Sequence, residues 1–183
     1  MYWFYLNSQG RPTLATAGDG AGLDITDGGY EDPELYDGLI ARSIRNKTYI
    51  FDTQGRMRSG LFYLGDVRRG STTLNGFYYF QEDDDHGTTE GQMVTNRRVT
   101  IDVDGEDETY YFKKSGQAYV NTIISGSLYG PEGSLVDDFG DGSTYQCVQT
   151  EVDIYTTKAQ TEDNMISAGS VILVNGNGKI KRS

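Results

Sequence analysis

The residues of this chain whose types and spacing can do chemistry are aromatic rings in short alternating runs and carboxylates in turns. Trp3, Tyr5, Tyr49, Tyr63, Tyr78 and Tyr110 all lie in or beside such runs. An exposed aromatic face stacks on the apolar face of a sugar, while a phenol and nearby Asp, Asn or Gln side chains reach its hydroxyls. The same rings can instead pack hairpin on hairpin, each contributing about 2 kcal/mol of burial. Adjacent rings in a run such as YYF point to opposite faces, so part of the aromatic set is expected to remain exposed as seams.

The carboxylates invite a metal. Asp83, Asp84 and Asp85, flanked by Glu82 and Glu90, are hard oxygen ligands of the kind calcium takes, and Asp102 and Asp104 alternate beside a Gly turn. Neither stretch fits the D-x-[DN]-x-[DN]-G loop, and solvated turns account for both equally well. Calcium is therefore the one cofactor these loops admit, and none is required. One histidine among carboxylates gives no triad, and no HExxH, Walker or CxxC pattern is present, so the chain is not expected to be an enzyme.

Charge narrows the partners. With 27 acidic and 16 basic side chains the formal charge is −11, a field that repels nucleic acid and anionic wall polymers and suits neutral sugars and cations. A single cysteine, Cys147, excludes an intramolecular disulfide and is read as a buried, inert thiol. No stretch approaches the length of a membrane span, and the first residues lack the basic and apolar regions of a signal peptide. The expectation is a piece of a longer exported protein, extracellular or at the cell surface, with no membrane insertion.

The elements that position these groups are short hairpins. In residues 46–60, NKTYIFDTQGRMRSG, Tyr49 and Phe51 alternate onto one face, Asp52 opens a turn whose fourth residue is Gly55, and Met57 returns. One such hairpin is not stable alone. Copies recur on the turn glycines Gly10, Gly55, Gly91, Gly116, Gly133 and Gly178, in boxes near 3–12, 48–61, 77–96, 109–122, 127–136 and 171–181, with insertions at 17–45 and 137–168. The fold expected is all-β: a degenerate, β-solenoid-like array of stacked β-hairpin repeats in a single domain, 1–183. It has at most one short helical turn, at 33–36, where Asp32 and Pro33 supply start signals. Residues 17–29 read as loop and 144–157 as a longer strand region buried on both faces.

These boxes resemble the cell-wall-binding repeats of Gram-positive surface proteins, the family of choline-binding modules, glucan-binding domains and clostridial toxin C-terminal repeats. The family motif runs roughly W-Y-Y-F-D-x-x-G-x-M-x-T-G-W, and 48–61 matches it at Tyr49, Phe51, Asp52, Gly55, Met57 and Gly60. The acidic insertion after YYF and the run VTIDVDGEDETYYF resemble a branch in surface proteins of gut clostridia. The resemblance implies stacked hairpins with ligand pockets between neighbours. Choline-binding members cage the cation with tryptophans at both ends of the motif, where this chain has Thr48 and Leu61, so choline is not the expected ligand.

The function expected is a non-catalytic module that binds cell-wall or extracellular carbohydrate and anchors a bacterial surface protein, with the six aromatics named above as its contacts. The alternative is an interaction or scaffold segment, such as an adhesin, phage appendage or toxin-like receptor-binding repeat, that contacts a protein partner or self-associates.

Overall fold

The computed structural model describes residues 2–83, 89–137 and 142–181. Among them the chain is all-β, with one 3-10 turn, Glu162–Asn164, and no helix long and apolar enough to cross a membrane. It divides into two compact units. Residues 1–97, 101–107 and 112–117 form the first, and 98–100, 108–111 and 118–183 the second.

The first unit holds β1 (Ala21–Asp24), β2 (Glu34–Asp37), β3 (Leu39–Ile44), β4 (Lys47–Asp52), β5 (Met57–Arg58), β6 (Gly60–Arg69) and β7 (Thr72–Phe80). All seven join one sheet in the order β2-β1-β6-β3-β4-β5, with β7 on β6. Its core is Leu39, Ile50, Phe62, Leu64, Phe80 and their neighbours. Register places Leu61 opposite Tyr79 and Tyr63 opposite Phe77, as the alternation in the sequence predicts.

The hairpin of β8 (Arg98–Val103) and β9 (Glu106–Tyr111) is divided between the units. Its turn, Asp104 and Gly105, has both φ values positive (53° and 84°), the geometry of a type I′ hairpin. The second unit holds β10 (Thr122–Ile124), β11 (Ser127–Tyr129), β12 (Tyr145–Gln149), β13 (Ile154–Tyr155), β14 (Met165–Ile166), β15 (Val171–Asn175) and β16 (Ile180–Lys181). They form a four-stranded sheet, β11-β10-β13-β14, and a three-stranded one, β12-β15-β16.

All six turns expected from the sequence form with one hydrogen-bond pattern. The turn-glycine N–H donates to the carbonyl of Asn7, Asp52, Gln81, Lys113, Gly130 or Asn175 at 2.6–3.1 Å, and the N–H of that residue donates to the carbonyl following the glycine at 2.8–3.0 Å. In the third box the acidic insertion lies between Gln81 and Gly91 without breaking the pattern. The six glycines have φ between 66° and 94°, a region that other residues resist.

A second regularity joins box to box. At four of the six turn glycines the residue two further on donates its N–H to a carbonyl in or next to the box before: Met57 to Trp3 (2.8 Å), Met93 to Thr48 (2.8 Å), Leu135 to Thr109 (2.7 Å) and Ile180 to Gly126 (2.8 Å). The side chain at that same position fills the space over the next glycine. Pro12 lies over Gly55, where Leu14 comes nearer still, Met57 over Gly91, Met93 over Gly116, Ala118 over Gly133 and Leu135 over Gly178. Gly10 alone of the six has nothing within 4 Å of an added Cβ.

Four local expectations are overturned. Glu34–Asp37 is a strand paired with β1, not a helical turn, because pairing along both edges of β1 outweighs the start signals at Asp32 and Pro33. Residues 17–29 are not all loop, since they contain β1. Residues 144–157 form two strands in different sheets, β12 and β13, rather than one doubly buried run. Cys147 is exposed, because β12 is an edge strand whose residues are mostly open to solvent.

The socket geometry sets the expected cost of filling it. A Cβ on Gly178 would stand 2.6 Å from the Val136 carbonyl oxygen and 2.7 Å from Leu135 Cδ1, whereas Gly10 faces open space. Gly178→Ala is expected to lower stability in urea unfolding by about 2–3 kcal/mol, combining overpacking with the positive φ. Gly10→Ala should cost only about 1 kcal/mol, the backbone part. Equal losses would contradict the socket.

Candidate functional site

The first three boxes build an aromatic surface. Because the Met57 N–H is bonded to the Trp3 carbonyl, box two lies beside box one with Met57 next to the indole. Tyr49 stands on the same face of β4 as Phe51, two residues on. Trp3, Tyr49 and Met57, with Thr89 and Glu90 from the third box, line a groove of about 340 Å³. The Trp3 Nε1–H donates to Glu90 Oε2 at 3.2 Å, which fixes the indole's orientation. Tyr49 and Thr89 also line a second groove of about 600 Å³ with Tyr5, Ser43, Ile44, Arg45 and Lys47. The ring of Tyr5 rests 6.4 Å from that of Phe51. Trp3 and Tyr5 are 53% and 39% exposed, so both present faces to solvent.

On its other side the Trp3 groove meets an acid-lined pocket of about 280 Å³. The two share Trp3, Met57 and Glu90, and the pocket adds Asp24, Asp27, Glu34 and Glu82, with Tyr36 and Arg58. Burial is the main reason the Asp24 carboxyl is pushed up to about 6. Asp27 and Glu34 add repulsion, against bonds from Thr26 that pull the other way. Glu82 is also raised, by burial first, although the Tyr79 hydroxyl donates to it at 3.2 Å. Arg58 does not neutralise the pocket. Its guanidinium is held by Asp52 Oδ2 at 2.6 and 2.9 Å and lies 4.6 Å over the Tyr36 ring.

Asp52 itself is the strongest polar anchor of the hairpin. Its Oδ1 accepts the N–H groups of Gln54 (2.8 Å) and Arg56 (2.9 Å), and its Oδ2 takes both Arg56 and Arg58. Burial pushes its carboxyl up, but the summed bonds from Arg56 and Arg58 outweigh that and hold it below the usual range.

Of the six aromatics expected to contact ligand, Trp3, Tyr5 and Tyr49 converge on these grooves. Tyr63 is exposed but lines neither, and its ring packs edge-on to Phe77 at 4.8 Å. Tyr78 and Tyr110 are corrected from contacts to core. They are 5% and 0% exposed: Tyr78 packs in the first core with Leu39, Ile50 and Phe62, and Tyr110 pairs with Ser134 and borders Gly133 of the fifth box. In the third box Tyr78 and Phe80 enter the first core, while Tyr79 stacks on Phe112 at 6.3 Å, so both faces of residues 77–80 are buried.

For calcium, Asp84 and Asp85 lie outside the described residues. Among the described residues no three metal-ligating side chains converge. Asp102 and Asp104 line a groove with Asp27 and Glu82, but Asp102 Oδ1 is engaged by the Gly105 N–H at 2.8 Å. The carboxylates that matter most to the aromatic site, Asp24, Glu34 and Glu82, come largely from the first insertion. Sequence alone gave Asp24 and Glu34 no role, since only strand pairing brings them to Trp3.

No family model matches the chain, and no curated protein matches it. Solved structures that match the chain include three from Streptococcus pneumoniae. A choline binding domain is 24% identical over 52% of this chain and 92% of its own, with a TM-score of 0.37. CbpJ is 22% identical over 74% of this chain and 38% of its own, TM-score 0.39. The choline-binding domain of CbpL is 14% identical over 98% of this chain and 82% of its own, TM-score 0.35. What those proteins bind is a property of those proteins, and the reading of this chain rests on its own residues.

The raised Asp24 carboxyl makes a signed prediction. A folded-state value above the ordinary one means that the folded protein holds the proton more tightly, so Asp24 penalises the fold as pH rises from about 4 to about 6. Asp24→Asn, which retains an oxygen for the Thr26 N–H, is expected to be more stable than the parent at pH 7.5 by about 1–2 kcal/mol, after allowance for solvent screening. The difference should vanish near pH 4. Thermal melts across that range check it, and a variant less stable than the parent at pH 7.5 would refute the assignment.

Proposed function

We propose that this chain is a non-catalytic binding module for cell-wall or extracellular carbohydrate, attaching a longer bacterial surface protein, of the kind found in Gram-positive bacteria including gut clostridia, to its surroundings. The observation that carries this reading is that Trp3, Tyr49 and Tyr5 face two adjacent grooves sharing Tyr49 and Thr89, with the hydroxyls of Ser43 and Thr89, the Glu90 carboxylate and the cationic groups of Arg45 and Lys47 at their edges. Two grooves in series suit successive rings of a glycan, with aromatic faces for stacking and polar rims for hydroxyls.

The acid-lined pocket beside Trp3 sets the charge preference. It favours neutral or amino-bearing sugars and opposes polyanions. Choline remains disfavoured on this reading. In the Trp3 groove two aromatic faces, Trp3 and Tyr49, are joined by a methionine and a carboxylate, whereas a cation cage relies on several electron-rich faces around one charge.

A second reading is favoured by one observation. Tyr2, Trp3, Phe4, Tyr5, Leu6 and Leu14 are all exposed, and an apolar strip of this kind can serve a protein contact or self-association.

Co-sedimentation with purified Gram-positive walls and with insoluble glucans tests the proposal. The soluble chain is expected to bind at least one, Trp3→Ala and Tyr49→Ala each to weaken binding about tenfold, Tyr63→Ala to leave it unchanged, and excess choline not to displace it. No co-sedimentation, together with concentration-dependent dimers by size exclusion, would favour the second reading.

A further inference from the structure

Two cations of the first unit have no acid to answer them. In a chain of net charge −11, Arg56 and Arg58 are held by Asp52, and Arg68 by Asp19. Neither Arg45 nor Lys47 lies within salt-bridge distance of a carboxylate among the described residues. Both line the groove of about 600 Å³ together with Tyr5, Tyr49, Ser43 and Thr89, and among the described residues no carboxylate lines it. The Arg45 guanidinium stands near the Tyr49 phenol. Burial raises that hydroxyl above its usual range, and the Arg45 charge pulls against the shift.

Arg45 is also held in a conformation that its residue type disfavours. Arg45 and Asn46 form the two-residue turn between β3 and β4, closed by the Ile44–Lys47 pair. Their φ values are 50° and 63°, the type I′ geometry, whose first place suits Asn, Asp or Gly. A side chain with an ordinary Cβ is strained there. The turn keeps the two cations together, since it carries Arg45 and is closed by Lys47. Strain of this kind brings no stability, and residues that bear it cluster where a ligand is met.

We propose that the groove between Tyr5 and Tyr49 is a subsite for an acidic sugar, whose ring lies against these aromatic faces and whose carboxylate is held by Arg45 and Lys47. The proposal rests on the carbohydrate reading above and adds the class of sugar. A guanidinium pairs with both oxygens of a carboxylate, and a lysine adds a point charge. In the adjoining Trp3 groove, Glu90 and the acid-lined pocket behind it repel a second carboxylate. The ligand that fits both grooves is therefore one acidic ring joined to a neutral or amino-bearing one, not a polyanion.

The test titrates the full chain by NMR with two disaccharides, cellobiose and cellobiouronic acid, which differ only in a carboxylate at C6 of one ring. The acid is expected to bind about fivefold more tightly or better, through its charge-assisted bonds, with the Tyr5 and Tyr49 rings shifting on one curve. That advantage should shrink as sodium chloride rises from about 0.02 to about 0.3 M. The double variant Arg45→Asn, Lys47→Gln should lose the advantage and bind cellobiose as the parent does. Arg45→Asn places a favoured residue in the turn, so its melting temperature should not fall, which separates loss of a contact from loss of the fold. A parent that binds both sugars alike, or a folded double variant that keeps the preference, overturns the inference and leaves the carbohydrate reading standing. If neither disaccharide binds, the inference fails too, and co-sedimentation with walls and glucans decides the reading beneath it.

Discussion

Each hairpin of this chain is joined to the next through the space that a turn glycine leaves empty. The side chain two residues past one glycine, Pro12, Met57, Met93, Ala118 or Leu135, lies over the glycine of the following box. At four of the five steps the following box's N–H at the same position is bonded back to a carbonyl in or next to the preceding box. Packing and hydrogen bonding thus fix the same register, which a slip by one residue would break at both. The rest of the structure depends on this joint: it sets Met57 beside Trp3, and so decides which aromatic rings can meet across neighbouring boxes.

The turns were legible in the sequence because their chemistry is local. Asp52 or Asn175 followed three residues later by glycine makes the same bonds wherever it occurs, and all six boxes formed where the glycines placed them. Burial was not legible, because it depends on segments remote in sequence. Tyr49 and Tyr78 hold equivalent positions in their boxes, yet one lines a groove and the other packs with Leu39 and Ala41 of the first insertion and with Phe62. Tyr110 is also buried, next to Gly133 and Ser134 of the fifth box. The strand at Glu34–Asp37 shows the opposite failure, where clear local start signals for a helical turn lost to pairing with β1. Cys147 shows a third kind: a residue type that is usually buried becomes exposed when its strand falls at a sheet edge.

Charge is distributed according to what each carboxylate is asked to do. Asp52 is satisfied by two backbone N–H groups and two arginines and stays ionised, a purely structural use. Asp24 and Glu82 lack such neutralisation and sit beside other acids at the edge of the Trp3 groove, where burial raises both. Under-compensated carboxylates of this kind are expensive to keep for stability alone and are often found at sites that meet a ligand. Their position next to an exposed indole, rather than their number, links the acidic composition of the chain to the proposed glycan site.

The central claim is that the surface shared by Trp3, Tyr5 and Tyr49 is where carbohydrate binds. It is tested most directly by titrating the isotope-labelled chain with solubilised wall or glucan oligosaccharides and mapping the changes by NMR. The account predicts that the Trp3 indole N–H, the Tyr49 and Tyr5 rings, and the backbone of Thr89 and Glu90 shift first and together, with one saturation curve. Shifts confined to the second unit, or none at concentrations where the walls retain the protein, would contradict it.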